Sequence, residues 1–198
     1  MSSRHKPPVK ISGGFLLLTA WFTLDNGWRP FLALLSAAAL HELGHILALR
    51  FFHVPVSNFR LCIFGAELQA DRGRLSYGED LVVLLAGPLV NLLCGWVLSW
   101  AAQGREWMYL AAGAHLLLGL FNLLPVRTLD GGQALRLLIQ WHWGPEAGER
   151  FCAVVSALSA TGVAACLILL MRVSGGSLWL LPAAAAAIYV IIPRGRRM

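Results

Sequence analysis

Long apolar stretches alternate with short polar breaks along the 198-residue chain. Six of the stretches are near the ~20 residues that a helix needs to cross ~30 Å of hydrocarbon. The bilayer core offers no water to hydrogen-bond with, so a crossing segment must satisfy its backbone groups internally, as a helix does. The pattern therefore predicts six transmembrane helices, at residues 11–24, 30–52, 80–102, 107–126, 151–171 and 177–192.

Two longer connections interrupt the apolar pattern. Residues 54–79 contain β-type side chains in partial alternation with a glycine near the middle, which predicts a short β-hairpin at the membrane surface. Residues 127–150 contain an Asp-Gly-Gly sequence, followed by a short apolar run that ends in Trp-His-Trp. Two tryptophans at this point are typical of the membrane–water interface.

The composition excludes an ordinary soluble domain. Apolar residues make up 58% of the chain and charged residues 13%, against about 45–50% and about 25% in soluble domains. A soluble chain of this size has too little interior for so many apolar side chains. We therefore expect an all-α polytopic membrane protein with a short β-hairpin, forming a single transmembrane domain over residues 1–198.

The positive charges predict the orientation in the bilayer. The net charge is +6, and the basic residues lie at the ends of apolar segments, so they favour lipid headgroups over a nucleic-acid partner. With six crossings, both termini and both long connections share the side that carries most Lys and Arg. The other side carries only Arg29, Arg105 and Arg172. We expect a multi-pass protein of the bacterial cell membrane with both termini in the cytoplasm.

The second apolar stretch contains the sequence His41-Glu42-Leu43-Gly44-His45, an H-E-x-x-H motif. Residues four apart share one face of a helix, so the two imidazoles can bind one Zn²⁺. Glu42 is adjacent to the first ligand and can take a proton from a water that the metal activates. Burying these three ionisable residues in lipid costs about 2.5–3.5 kcal/mol each, which indicates a function. A polar cluster that only joins helices would not need this spacing.

Asp130 is the candidate for the third ligand of a catalytic zinc, which usually has three protein ligands and one open position. Pro125 should end the fourth helix, and the two glycines after Asp130 permit a tight turn. His45 and Asp130 then both lie at cytoplasmic helix ends. His115 precedes Asp130 by fifteen residues, or about 22 Å along a helix, which is too far for it to be the third ligand. We therefore expect a packed or outward-facing side chain at His115. A plain cap or loop role for Asp130 remains the alternative.

Taken together, these motifs resemble the site-2 protease family of intramembrane zinc metalloproteases. The H-E-L-G-H sequence at 41–45 resembles the metal motif of the family, and N-x-x-P-x-x-x-x-D-G at 122–131 resembles its second motif. The sequence G-P-L-V-N at 87–91 is similar to a family element on the third helix. Phe64 and Gly65 resemble part of its membrane-associated strand.

The resemblance implies an activity and a set of site residues. It implies hydrolysis of a peptide bond within or next to a transmembrane segment of a membrane-tethered protein. Zn²⁺ would be bound by His41, His45 and Asp130, and Glu42 would be catalytic. The helix count resembles the compact sporulation factor IV B-type branch, so a pro-sigma or other regulatory factor is an expected substrate and a membrane-embedded regulator an expected partner. No CBS or PDZ sequence is recognised in the 198 residues.

Four further residues are candidates for substrate binding. The amides of Asn91 and Asn122 could hold an extended substrate backbone, or could only join helices through hydrogen bonds. Residues 60–68, which include Phe64 and Gly65, are expected to form an edge strand that pairs with unwound substrate. A surface hairpin without a substrate role is the alternative.

Two other classes of function remain to be compared with proteolysis. A membrane-binding or chaperone protein with a structural metal would need a fourth protein ligand that closes the site, and none is in register. A metal or proton transporter usually has paired inverted repeats, and the sequence contains no repeat. The motifs therefore favour an enzyme.

Overall fold

The computed structural model describes residues 9–62 and 65–173. The chain forms two compact units, Met1–Leu120 and Phe121–Met198. The elements are, in chain order, β1 Val9–Ile11, α1 Gly13–Asn26, α2 Trp28–Phe51, β2 Val56–Cys62, β3 Gly65–Ala70, a short 3-10 helix Arg72–Arg74, α3 Tyr77–Ala101, α4 Glu106–Asn122, α5 Asp130–Trp143 and α6 Pro145–Val173.

Five of the six expected helices have counterparts in α1, α2, α3, α4 and α6. The expected segment at 177–192 lies outside the described residues. Within the described part of the chain, α2, α3 and α6 are long and apolar enough to cross a membrane. The helices α1 and α4 have 14 and 17 residues, short of the ~20 that a perpendicular crossing needs.

Helix α5 corrects the expectation that residues 127–150 form a connection. It has 14 residues and contains the Trp-His-Trp sequence at its end. Its apolar positions recur with helical spacing, but they are interrupted by Arg136 and Gln140. An amphipathic helix of this length does not stand out in a search for stretches that cross a membrane.

The predicted hairpin is confirmed and has a third strand beside it. Strands β2 and β3 are antiparallel, and β1 adds to the other side of β2 in parallel, so the order is β1-β2-β3. The middle strand is therefore paired on both sides. The expectation of an edge strand is wrong for Arg60 and Leu61, because β1 pairs with them on that side, while β3 has one partner among the described strands.

Helices α2 and α3 approach closely through small residues. A Cβ added at Gly44 would lie 2.8 Å from the Ala86 carbonyl oxygen and 3.1 Å from the Gly87 Cα. Helices in lipid gain little from apolar burial against each other, so close packing through glycine and alanine contributes much of their association. The buried face of α2 consists of Ala33, Ala37, His41, Gly44, His45 and Leu49.

The start of α3 is held by a capping box. The Ser76 hydroxyl accepts a hydrogen bond from the Glu79 backbone N–H, and the Glu79 carboxylate accepts one from the Ser76 N–H at 2.8 Å. These bonds satisfy backbone donors that the first helical turn leaves unpaired. Below the cap, Val83 packs with Leu49 and Val54 in a small buried cluster. The cap fixes where α3 begins, and the cluster holds α3 against the end of α2.

In the second unit, α5 begins directly against the turn that follows α4. Helix α4 ends three residues before Pro125, as expected. A Cβ at Gly131 would overlap the Leu123 carbonyl oxygen, and one at Gly132 would overlap the Val126 carbonyl oxygen. Neither glycine has a positive φ. The expectation that they serve a tight turn through their conformational freedom is therefore wrong, and close backbone contact is the reason for them.

Candidate metal centre

The two histidines of the H-E-x-x-H motif lie side by side on the buried face of α2. Their Nε2 atoms are 3.2 Å apart, and their side chains are nearly enclosed, at 6% and 8% exposure for His41 and His45. Nitrogen ligands about 2.0–2.1 Å from a tetrahedral zinc are separated by about 3.3 Å. The spacing therefore fits two ligands of one ion, which is the arrangement that the sequence predicts for this pair.

The second ring nitrogen of His45 sets its tautomer. The His45 Nδ1 atom is 2.8 Å from the Val83 carbonyl oxygen on α3. A carbonyl oxygen can only accept, so the proton is on Nδ1 and the lone pair is on Nε2. Metal-bound histidines generally have such a partner on the other nitrogen, which orients the ring and raises its basicity.

A buried amide occupies the corresponding place beside His41. Asn91 on α3 is fully buried, and its Nδ2 atom is 3.3 Å from the His41 Nδ1 atom. Its Oδ1 atom is 3.2 Å from Nδ1 of His115 on α4. His115 is itself 2% exposed, so it is packed as expected. Its connection to His41 through Asn91 was missed, because the sequence reasoning considered only the separation of His115 from Asp130.

Gly87 leaves the space that the imidazoles need. A Cβ added there would overlap His45 Nε2 and would lie 2.9 Å from His41 Cε1. Any larger residue would therefore compete for the space in front of the nitrogen that faces a metal. The G-P-x-x-N element of α3 thus has two roles: Gly87 leaves space for the imidazoles, and Asn91 provides the amide beside His41.

The other site residues predicted from the sequence lie in several elements. Glu42 is half-buried on α2, next to His41. In the second unit, Asp130 is the half-buried first residue of α5, and Asn122 is the last residue of α4. Gly65 begins β3 and pairs with Cys62. Phe64 lies outside the described residues.

The fold is that of a site-2 protease. The whole chain superimposes on 97% of the solved structure titled Site-2 Protease from Methanocaldococcus jannaschii, with a TM-score of 0.68 and 22% sequence identity. Residues 101–169 match the model of Peptidase family M50. These findings confirm the resemblance to the site-2 proteases of peptidase family M50, and with the apolar helices they identify an integral membrane protein.

Curated relatives are similar over more than half of this chain. The protein named zinc metalloprotease MJ0392, from Methanocaldococcus jannaschii, is 31% identical over 58% of this chain and 35% of its own length. Stage IV sporulation protein FB of Bacillus subtilis is 30% identical over 62% of this chain and 44% of its own length. The chain thus spans less than half the length of these relatives.

The role of Gly87 can be tested by adding one methyl group. We predict that Gly87→Ala lowers the affinity for zinc at least about tenfold, because the Cβ displaces the His45 ring from its position. Zinc competition against a chelating dye, with the purified protein in detergent, measures the change. The matched control is Gly113→Ala on α4, where a Cβ meets open space. Native zinc affinity in Gly87→Ala would contradict the proposed crowding.

Proposed function

We propose that this chain is an intramembrane zinc metalloprotease that hydrolyses a peptide bond within or next to a transmembrane segment of a membrane-tethered protein. The observation that carries the proposal is the buried histidine pair, whose Nε2 atoms are 3.2 Å apart on a helix long and apolar enough to cross a membrane. Ionisable groups are costly in that environment and are retained where they have a function. Glu42 beside the pair supplies the acid–base group that hydrolysis needs.

In the proposed centre, His41, His45 and Asp130 would hold Zn²⁺. The Val83 carbonyl supports this role for His45, because it holds the ring with its Nε2 lone pair available. For Asp130 the support is its place at the start of α5, together with the likeness of its sequence motif to the family motif. When bound, zinc is a Lewis acid that polarises the scissile carbonyl and makes water a better nucleophile near neutral pH.

Glu42 acts as the general base and is not a ligand. Its carboxylate takes a proton from the attacking water, whose oxygen bonds to the carbonyl carbon. The same proton then passes to the amide nitrogen as the C–N bond breaks, so the products are an amine and a carboxylic acid, which loses its remaining proton to solvent. The position of Glu42 next to His41 on one helix supports this role, because in an H-E-x-x-H motif the glutamate beside the first ligand is the general base.

The substrate must unwind before it can react. A transmembrane helix holds its carbonyls in hydrogen bonds to residues four positions further along, and this hides the scissile bond. We propose that the outer edge of β3, which begins at Gly65, pairs with the unwound segment by strand addition. Asn122 is a further candidate for holding the extended substrate backbone. The proposed substrate is a membrane-tethered regulatory factor, of which a pro-sigma factor is one example.

The proposed topology has six crossings with both termini in the cytoplasm of a bacterial cell. It rests on the excess of Lys and Arg at the termini and long connections, and the crossing at 177–192 rests on the sequence pattern alone. Both compact units belong to one protease domain in this proposal. A membrane-embedded regulator is a further proposed partner.

Substitution of Glu42 tests whether this residue is the general base or a zinc ligand. Glu42→Gln should reduce cleavage at least about 100-fold, the usual scale of general-base catalysis, and should leave zinc bound. His41→Ala and Asp130→Ala should lose zinc. Metal analysis of the purified variants gives the zinc content. Comparison of membrane proteins in cells expressing the native chain or Glu42→Gln reports cleavage, through a protein that accumulates uncut. Zinc loss in Glu42→Gln would instead make Glu42 a ligand.

The orientation can be tested by labelling single cysteines from either side of the membrane. In a background without the four native cysteines, a cysteine at Arg105 should react only from outside the cell. Cysteines at Arg72 and Arg127 should react only from the cytoplasm. The positive-inside distribution is the physical reason for this expectation. Labelling of position 105 from the cytoplasm would refute the six-crossing arrangement.

Capture of substrate at β3 can be tested with proline at neighbouring positions. Successive residues of a strand direct their N–H groups to opposite edges. Of Ala66→Pro and Glu67→Pro, one therefore removes a donor to β2 and the other removes a donor from the outer edge. We predict that the outer-edge variant lowers cleavage sharply while its zinc content and thermal unfolding stay native. Full cleavage by both variants would show that this strand does not deliver substrate.

A further inference from the structure

A chain of buried hydrogen bonds passes through the candidate metal centre and continues beyond it. It runs from His115 on α4 to Asn91 on α3, then to His41 and His45 on α2, and ends at the Val83 carbonyl on α3. The four side chains are 8% exposed or less. Because each atom has a fixed capacity to donate or accept, the positions of the protons along this chain are coupled.

One self-consistent assignment follows from the amide orientation in the structure. The His45 Nδ1–H donates to the Val83 carbonyl, so His45 Nε2 accepts from His41 Nε2–H. His41 Nδ1 then accepts from the Asn91 Nδ2–H. At the far end, Asn91 Oδ1 accepts from the Nδ1–H of His115. Every hydrogen bond in this assignment points from α4 toward Val83.

That assignment cannot serve a metal bound by both histidines. In it the His41 Nε2 atom carries a proton, whereas a ligand nitrogen needs a free lone pair. For His41 to become a ligand as a neutral ring, its proton must be on Nδ1. Nδ1–H then needs an acceptor where the structure has the Asn91 Nδ2 atom, 3.3 Å away.

A half-turn of the Asn91 amide resolves the conflict without moving any other heavy atom. It exchanges Oδ1 and Nδ2, which have nearly the same size. Oδ1 then accepts from the His41 Nδ1–H, and Nδ2–H faces His115 Nδ1. That nitrogen must now accept, so the proton of His115 is on Nε2. Two protons change position between ring nitrogens, and no group gains or loses charge.

We propose that Asn91 is a positioning residue that selects the metal-binding tautomer of His41, with His115 as the acceptor that stabilises the turned amide. This inference rests on the proposed zinc site and adds a role for two residues that do not bind the metal. Asn91 is fully buried, so water cannot replace either partner, and an amide atom left unpaired there is destabilising. The amide therefore turns only together with the tautomer of His115.

The simpler alternative is a hydrogen bond that only joins α3 to α2 and α4. Such bonds contribute little to the stability of membrane proteins, and any pairing that holds the helices together would serve. The two roles differ in what they require of the atom beside His41. Positioning needs an acceptor there, whereas joining the helices does not.

Two substitutions at Asn91 distinguish these roles. Asn91→Leu has a similar volume and no acceptor, and we expect it to lower zinc affinity about 10–100-fold, the usual loss when the partner of a ligand histidine is removed. Asn91→Asp keeps an acceptor beside His41, so its zinc affinity should be restored to near the native value. Its second oxygen accepts from His115, which should return the proton of His115 to Nδ1.

The experiment combines chelator competition with nitrogen-15 spectra of labelled histidine, on the full chain loaded with zinc in detergent micelles. In the native protein we expect a protonated Nδ1 on His41 and a protonated Nε2 on His115. In Asn91→Asp we expect the His115 proton on Nδ1. Thermal unfolding of each variant reports whether the fold persists, and the Asp variant keeps the test valid if the Leu variant is unstable.

The possible results separate this inference from the proposed function. Native zinc affinity in a folded Asn91→Leu, or a proton on His115 Nδ1 in the zinc-loaded native protein, overturns the positioning role and leaves the proposed protease intact. Weak zinc binding by a folded Asn91→Asp, equal to that of the Leu variant, overturns it as well. Failure of the native chain to bind zinc overturns both proposals. The predicted affinities together with both tautomers support the role of Asn91.

Discussion

The close approach of α2 and α3 is the constraint on which the candidate centre depends. Gly44 lies against the backbone at Ala86, and Gly87 leaves room for the rings of both motif histidines. The same approach brings the Val83 carbonyl within 2.8 Å of His45. A side chain at either glycine would separate the helices by roughly the thickness of a methyl group. The hydrogen bonds that orient the two rings would then be lost together, although the ligands themselves were unchanged.

Low polarity around these helices explains why the centre extends beyond its ligands. A buried polar atom without a partner is costly, so each ring nitrogen that faces away from the metal needs a hydrogen-bonding group. For His45 the backbone of α3 provides it, and for His41 the group is the Asn91 amide, which then needs a partner of its own in His115. Four buried polar side chains from three helices, those of His41, His45, Asn91 and His115, thus form one connected set.

The sequence predicted the parts of this protein that depend on local patterns. The histidine pair follows from a spacing of four on one helix, and α2, α3 and α6 follow from the length of their apolar stretches. Strand β1 could not be found in this way, because three residues pair with a strand far along the chain. The contact of His115 with Asn91 is equally non-local. Gly131 and Gly132 were assigned to turn flexibility, although only the packed structure shows the carbonyls that exclude a Cβ.

The two histidines are oriented by groups of different kinds, a backbone carbonyl beside His45 and a side-chain amide beside His41. A backbone carbonyl can only accept, so Val83 holds His45 in the metal-binding tautomer whatever residue occupies position 83. An amide can accept or donate, so the tautomer of His41 depends on which way Asn91 is turned and on what His115 allows. In the proposed centre, the affinity for a metal can therefore change through residues 91 and 115 while the proposed ligands and base remain in place. Side chains outside the ligand set are thus as much a part of this centre as the H-E-x-x-H motif itself.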